Sequence, residues 1–293
     1  MKVDVVIVAY GAPDDLDRCL DRVLGLDEVA GVTVVDNGDG GGAELATRRG
    51  TRALRLPSNP GFGTAVNHGA AEGDAEAILV LNPDARLDPV GLRAAIERLQ
   101  VDPATAAAQG AIVNAVTGTE ERSAGRELGV VHLFGRLVHA RTLLRSPAVR
   151  AVSRRVPTLR DHVDRRPAAA LEVETLAATA VVLRRSAFLA VGGFDPRYFL
   201  YGEDLDLCAR LRASGWTLVT LPSSMAVHRS GASSRSPWDR ELVWWQGTLQ
   251  FARDHWHGGR RLAALLVGGA AGACLVARAP RRAGTVARAL GGR

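Results

Sequence analysis

The 293-residue chain is poor in several of the things that define large functional classes. It has three cysteines, Cys19, Cys208 and Cys274, far apart and in no metal-ligand spacing. That excludes a disulfide framework and a structural zinc site, and it suits a reducing compartment. Lysine is all but absent: Lys2 is the only one, and arginine carries the remaining positive charge. Aromatics make up 5% of the residues and form no stacking motif, which speaks against a nucleic-acid-binding protein despite a net charge of +6. The N-terminus runs from Met1-Lys2 directly into the strand-like Val3–Ala9, without the apolar region and cleavage site of a secretory signal, so a cytoplasmic protein is expected. The longest apolar stretch, Leu262–Ala277, falls short of the roughly 20 residues of a bilayer crossing. No internal repeat is visible.

What is present is an alternation of strand and helix patterns with short connections. Val3–Ala9, Val32–Val35, Arg52–Leu56, Ala77–Leu81 and Ala108–Val113 read as strands. Between them lie an amphipathic helix after Pro13, a short helix near Ala43–Arg49, a helix at Asn59–Ala71 and one at Pro89–Gln100 with Asp88 as N-cap. Such a rhythm predicts an α/β fold with a mostly parallel sheet, helices on both faces and a ligand site beyond the carboxyl ends of the strands. After a weakly patterned stretch come a strand at Thr179–Leu183, a helix at Glu203–Ser214 and a strand at Leu218–Leu221, then an aromatic helix at Arg240–His257. The expected division is a catalytic domain over 1–235, interrupted by an arginine-dense insertion at about 130–168, and a helical appendage over 236–293 that touches a membrane or packs on a protein surface. Arginines flanking Leu262–Ala277 suit a helix lying at an anionic interface.

The strand ends hold the informative residues: Ala9-Tyr10-Gly11, Asp36, Asn59 through Asn67, and Asn82-Pro83-Asp84. A nucleotide needs such a set, because carboxylates read a base or ribose while glycines admit the backbone closely. Gly61-Phe62-Gly63 followed by Val66 is a partial dinucleotide fingerprint whose third glycine is missing, so a nicotinamide cofactor is not indicated.

Read together with Gly192-Gly193-Phe194-Asp195 and Tyr201-Gly202-Glu203-Asp204-Leu205-Asp206, the motifs Asn59-Pro60-Gly61-Phe62-Gly63 and Leu81-Asn82-Pro83-Asp84-Ala85 resemble those of the family 2 glycosyltransferases of GT-A fold, in particular the rhamnosyltransferase-like branch. The similarity spans approximately Val3–Ser234. It implies a metal-dependent, inverting transferase at a bacterial membrane, moving a sugar such as rhamnose from a dTDP- or UDP-sugar to a hydroxyl of a lipid-linked, cell-envelope or small-molecule acceptor. The resemblance assigns Asp36 to the nucleotide base, Asp84 and the late histidine His228 to Mg²⁺ or Mn²⁺ on the diphosphate, and Asn82 to a contact beside them. Ala9, Tyr10, Gly11, Asn59, Gly61, Phe62, Gly63 and Asn67 complete the donor side. Asp204 is the expected base, kept ionised and weakly basic by the helix start, and Glu203 an acceptor contact. Asp206 and Arg210, four residues apart on that helix, read as an ordinary ion pair. Ala177-Ala178-Thr179 stands where relatives carry Ser-Gly-Ala. Gln250-Phe251-Ala252-Arg253 is followed by Asp254 in place of the tryptophan of processive polymerases, so single-sugar addition is expected. The alternatives are a sugar nucleotidyltransferase, which lacks its triphosphate-binding N-terminal loop here, and a non-catalytic nucleotide-sugar-binding protein.

Overall fold

A computed structural model describes residues 1–38, 40–138, 168–229 and 236–291. Two compact units emerge: 1–126 with 166–234, and 127–165 with 235–293. Of the segment expected as an insertion in the catalytic domain, the described residues 130–138 group with the C-terminal helices. Most of it, 139–167, lies outside the described residues.

The first unit is built on a sheet whose early half follows the strand-helix-strand rhythm. β1 (Val3–Ala9), β2 (Val29–Asp36), β3 (Arg52–Arg55) and β4 (Ala77–Leu81) pair in parallel, in the order β3-β2-β1-β4. The connecting helices are α1 (Pro13–Val23), α2 (Gly41–Arg48) and α3 (Phe62–Ala70). The later half departs from a mostly parallel sheet. β10 (Ala180–Arg184) inserts antiparallel between β4 and β6 (Thr105–Asn114), β11 (Thr217–His228) runs parallel to β6, and β5 (Ala85–Leu87) closes the edge antiparallel to β11. The sheet is therefore mixed. Of three two-residue strands, β8 (Leu171–Glu172) pairs antiparallel with β11, while β7 (Ala124–Gly125) and β9 (Thr175–Leu176) form a separate antiparallel pair. Such short strands carry no period for a sequence reading to detect.

Side chains alternate across the pleat of β1. Val3, Val5 and Ile7 pack with Leu16, Cys19 and Leu20 of α1 and with Leu92 and Ile96 of α4 (Pro89–Val101). Val6 and Val8 face the opposite layer, made by α3, by α6 (Arg185–Ala190) through Phe188, and by α7 (Glu203–Ala213) through Leu207 and Leu211. Asp88 caps α4 as expected, its Oδ1 accepting the Val90 N–H at 3.0 Å.

The second unit is helical: α5 (Val130–Leu137), α8 (Pro237–His255), α9 (Gly258–Arg278), a 3₁₀ turn at Pro280–Arg282 and α10 (Ala283–Leu290). Trp245, Phe251 and Trp256 are its largest buried side chains. Helices α8 and α9 approach closely because Gly268 has no Cβ; one built there would lie 2.5 Å from Leu249 Cδ1. At 21 residues, with an 18-residue window of mean hydropathy 1.5, α9 extends beyond Leu262–Ala277 at both ends and is long and apolar enough to cross a membrane by length and composition only.

Candidate functional site

The register of β5 on β11 sets Ala85 opposite His228, and so brings Asp84 beside the imidazole. His228 Nε2 lies 3.1 Å from Asp84 Oδ1, and Nδ1 lies 2.8 Å from Glu121 Oε2. Glu121 is held in turn by Asn114 at the end of β6, whose Nδ2 donates to Oε1 at 2.8 Å. Burial alone would lower the histidine's pKa, but hydrogen bonds and charge from Asp84 and then Glu121 outweigh it and raise it to about 9. The Arg229 N–H donates to the Asp84 carbonyl at 3.0 Å, and its guanidinium reaches Asp15 at 3.3 Å.

These donors suit a hard or borderline divalent cation. One carboxylate and one imidazole nitrogen stand 3.1 Å apart, close to the ~3 Å between neighbouring ligands of an octahedral ion with bonds of about 2.1 Å. Glu121 on the second ring nitrogen matches the carboxylate that orients a metal-binding histidine. Among the described residues no group of three or more His, Cys, Asp or Glu side chains could hold a metal, so the protein would supply two ligands and substrate phosphate and water the rest.

The acidic motif leaves a strained turn. Tyr201 (φ 65°) and Gly202 (φ 88°) both occupy the left-handed region before α7 starts at Glu203. Glu203 is 5% exposed, and its Oε2 has no hydrogen-bond partner. Burial, and then the neighbouring Asp204 charge, push it up to about 8. Burial raises Asp204 too, against hydrogen bonds from the N–H groups of Leu205, Ala178 and Asp204 itself. Three N–H donors favour the charged form of Asp204 against one for Glu203, so of the two Glu203 is the better holder of a proton. Burial outweighs those hydrogen bonds, so Asp204 is more basic than an ordinary aspartate. Glu203 is turned inward, away from where an acceptor contact was expected. Asp206 pairs with Arg210 at 2.6 Å as read from the sequence.

A cavity of about 750 Å³ opens at the ends of β1, β2 and β3, lined by Tyr10, Gly11, Asn37, Gly38, Arg55 and Asn59 among others. Its size suits a nucleotide-sized ligand. Ala9 is buried behind it, its carbonyl accepting the Asn37 N–H at 2.9 Å. Asp36 is not on the wall: it is 1% exposed, and its two oxygens accept the N–H groups of Gly38 and Ala43, both at 2.8 Å. It shapes the loop that presents Asn37, whose Nδ2 donates to Asn59 Oδ1 at 2.8 Å.

The rest of the donor motif is taken up by contacts with the loop that leads to the acids. The Phe62 N–H donates to the Phe199 carbonyl at 2.9 Å. Gly61, at φ 100°, leaves no room for a side chain, since a Cβ would sit 2.3 Å from that same oxygen. Gly63 abuts Phe194, and the Asn67 amide clamps the Phe194 backbone, accepting its N–H at 2.9 Å and donating to its carbonyl at 2.7 Å. Asn82 donates its N–H to the Thr179 carbonyl at 2.8 Å, one residue from the Ala178 N–H that holds Asp204. Ala177-Ala178-Thr179 therefore joins the Asn82–Asp84 turn to the acidic motif. Glu121, Asn37 and Arg229 were missed in the sequence. The first lies 107 residues from its partner in a stretch without pattern, and only the rule of inspecting every strand end, applied just beyond β6, would have flagged it.

Residues 4–156 match the family model described as glycosyl transferase family 2, and residues 162–230 one described as the N-terminal domain of galactosyltransferase. The chain is 30% identical over 278 residues to the N-acetylglucosaminyl-diphospho-decaprenol L-rhamnosyltransferase of Mycobacterium tuberculosis, covering 84% of this chain and 87% of that one. It is 38% identical over 72 residues to the rhamnosyltransferase WbbL of Escherichia coli K12, covering 25% of this chain and 27% of that one. Among solved structures it resembles the mannosyltransferase PcManGT of Pyrobaculum calidifontis, in complex with GDP-Man and Mn²⁺. There the TM-score is 0.56 at 16% identity, with 98% of this chain and 73% of that one covered. The fold is that of the GT-A enzymes, a mixed sheet with helices on both sides, and the chain belongs to family 2 of the glycosyltransferases.

Proposed function

We propose that this glycosyltransferase moves rhamnose, or a closely related deoxyhexose, from a dTDP- or UDP-sugar to a hydroxyl of a lipid-linked acceptor, with inversion, on the cytoplasmic face of the membrane. The observation that carries the mechanism is the Asp84–His228 pair, tied through Asn82, Thr179 and Ala178 to Asp204. The mycobacterial relative's name supports the sugar and the lipid acceptor. Membership of the family displaces the nucleotidyltransferase and binding-protein alternatives.

Asp84 and His228 would hold Mg²⁺ or Mn²⁺, which stabilises negative charge on the departing diphosphate. The cavity beside Asn37 receives the nucleoside. Asp204 takes the acceptor hydroxyl proton as the new oxygen–carbon bond forms and the anomeric carbon–phosphate oxygen bond breaks. One base on one face is sufficient for a single displacement. Glu203, neutral at pH 7, adds no second charge there.

A thermal-shift series with UDP, dTDP and GDP sugars, each with and without Mn²⁺, tests the donor side; stabilisation by dTDP- or UDP-sugar that requires the metal is expected. Asp204→Asn should keep that shift and lose roughly 10²–10⁴-fold in transfer. A shift independent of metal, or near-normal transfer by Asp204→Asn, would overturn the assignment.

A further inference from the structure

The two units differ sharply in charge. Segments 127–165 and 235–293 together hold 18 arginines against six acidic residues, a net +12, while the other unit holds 19 basic and 25 acidic residues, a net −6. The chain's modest total conceals this division.

The basic unit also exposes apolar side chains along two helices. On α5 Leu133 is buried, whereas Val131 and Phe134, three residues apart on one face, are 75% and 55% exposed, and Val138, which follows the last turn, is 43% exposed. On α9, Ala264, Gly268, Ala271 and Leu275 are buried, and Leu262 and Leu266, one turn apart, are 59% and 67% exposed. The starts of the two helices are pinned together, since Arg260 Nη2 donates to Glu127 Oε1 at 2.9 Å and to the Leu128 carbonyl at 3.0 Å. Arg261 next to Leu262, with Arg281 and Arg288 further on, is exposed.

We infer that this face of α5 and α9 docks on an anionic lipid surface, with both helices lying in the plane of the interface. The bilayer is the occupant that matches both properties: apolar side chains enter the acyl boundary while arginines meet phosphate headgroups. A second copy would bring +12 against +12, and a nucleic acid would leave five apolar side chains without a partner. Crossing is disfavoured by the opposite side of α9. There Gly268 is fitted to Leu249, Trp238 Nε1 donates to the Leu275 carbonyl at 3.2 Å, and Arg278 pairs with Glu241 at 2.8 Å. Helix α8 would follow α9 into the bilayer, with Asp239, Glu241, Arg253 and Asp254 in it.

This inference goes beyond the transfer reaction and does not rest on it. The full chain is sedimented with phosphatidylcholine vesicles and with mixed phosphatidylcholine–phosphatidylglycerol vesicles, at low and high salt, without donor or acceptor. Binding to the anionic vesicles alone, weakened by salt, is expected. Arg261→Ala should lower the partition coefficient roughly fivefold, and Leu262→Asn/Leu266→Asn together at least about tenfold. All three positions are exposed, so circular dichroism and the nucleotide-dependent thermal shift should match wild type and separate lost docking from lost folding. Equal binding to both vesicle types, or variants that bind as wild type does, would overturn the proposal. So would a wild-type dimer in sedimentation equilibrium that the leucine variant dissociates, which would make the face a contact between copies.

Discussion

His228 is bridged by two carboxylates, and that fixes the sign of its pH behaviour. Its pKa is raised from 6.5 to about 9, so in the metal-free protein the bridge is fully stabilising below pH 6.5 and is lost as pH rises through 9. A cation needs the neutral ring, and its binding should release one proton. Mn²⁺ affinity, measured by calorimetry with nucleoside diphosphate present, should therefore rise about tenfold per pH unit up to roughly pH 9 and then level off. Glu121→Ala should weaken that affinity by about 10–100-fold and flatten the slope, because the ring loses both its orientation and one source of its raised pKa. Glu203 shifts stability in the same direction with pH, but through burial rather than through partners. Its carboxyl is raised from 4.5 to about 8, so the native state binds the extra proton between those values and stability falls as pH rises across them. Glu203→Gln removes that loss. The variant should melt above wild type at pH 8, by about 2–4 °C for each kcal/mol recovered, with the advantage disappearing towards pH 4.5; equal melting at both pH values would show that Glu203 is not held protonated. Legibility at this scale followed the motifs. Asp84, His228 and Asp204 stand in short, chemically marked runs, whereas Glu121 and Asn37 acquire their roles only when β6 and β11, or the ends of β2 and β3, are brought side by side.

Elements were legible where one strand leads to one helix. Ala77–Leu81 and the Asp88-capped α4 follow from period and cap chemistry, and the edges of the first four strands were off by a few residues at most. The later half was opaque for a physical reason. β10 runs antiparallel between two strands distant in sequence, and β5, at three residues, owes its existence to pairing with β11 rather than to its own composition. The Gly-rich donor turn is a related case. Its glycines read as places where backbone approaches a phosphate, yet Gly61 is required by the Phe199 carbonyl. Gly61→Ala would force both a left-handed φ on a residue with a side chain and a 2.3 Å contact with backbone. The expected outcome is a loss of at least about 1–3 kcal/mol in urea unfolding and a fall in donor affinity. A variant with wild-type stability would show that the two loops can part at little cost.

At the scale of the whole molecule, the sequence conveyed the fold class and the family but not the partition of the chain. The arginine-dense stretch reads as an insertion because it interrupts the catalytic pattern, and nothing local in its described part, up to Val138, signals that α5 groups with the C-terminal helices. Charge is the global property that survives this reassignment and gains meaning from it: one modest number divides into an acidic catalytic unit and a basic helical one. Within the catalytic unit a backbone hydrogen bond, from the Phe62 amide to the Phe199 carbonyl, joins the loop beside the cavity at the ends of β1, β2 and β3 to the loop that ends in the acids. Its amide proton can exchange with solvent only when those loops separate. The protection factor of Phe62 is accordingly a direct clock for how often the empty site comes apart, and the slowing of that clock on adding nucleotide would measure how firmly one substrate locks the place where the other must react.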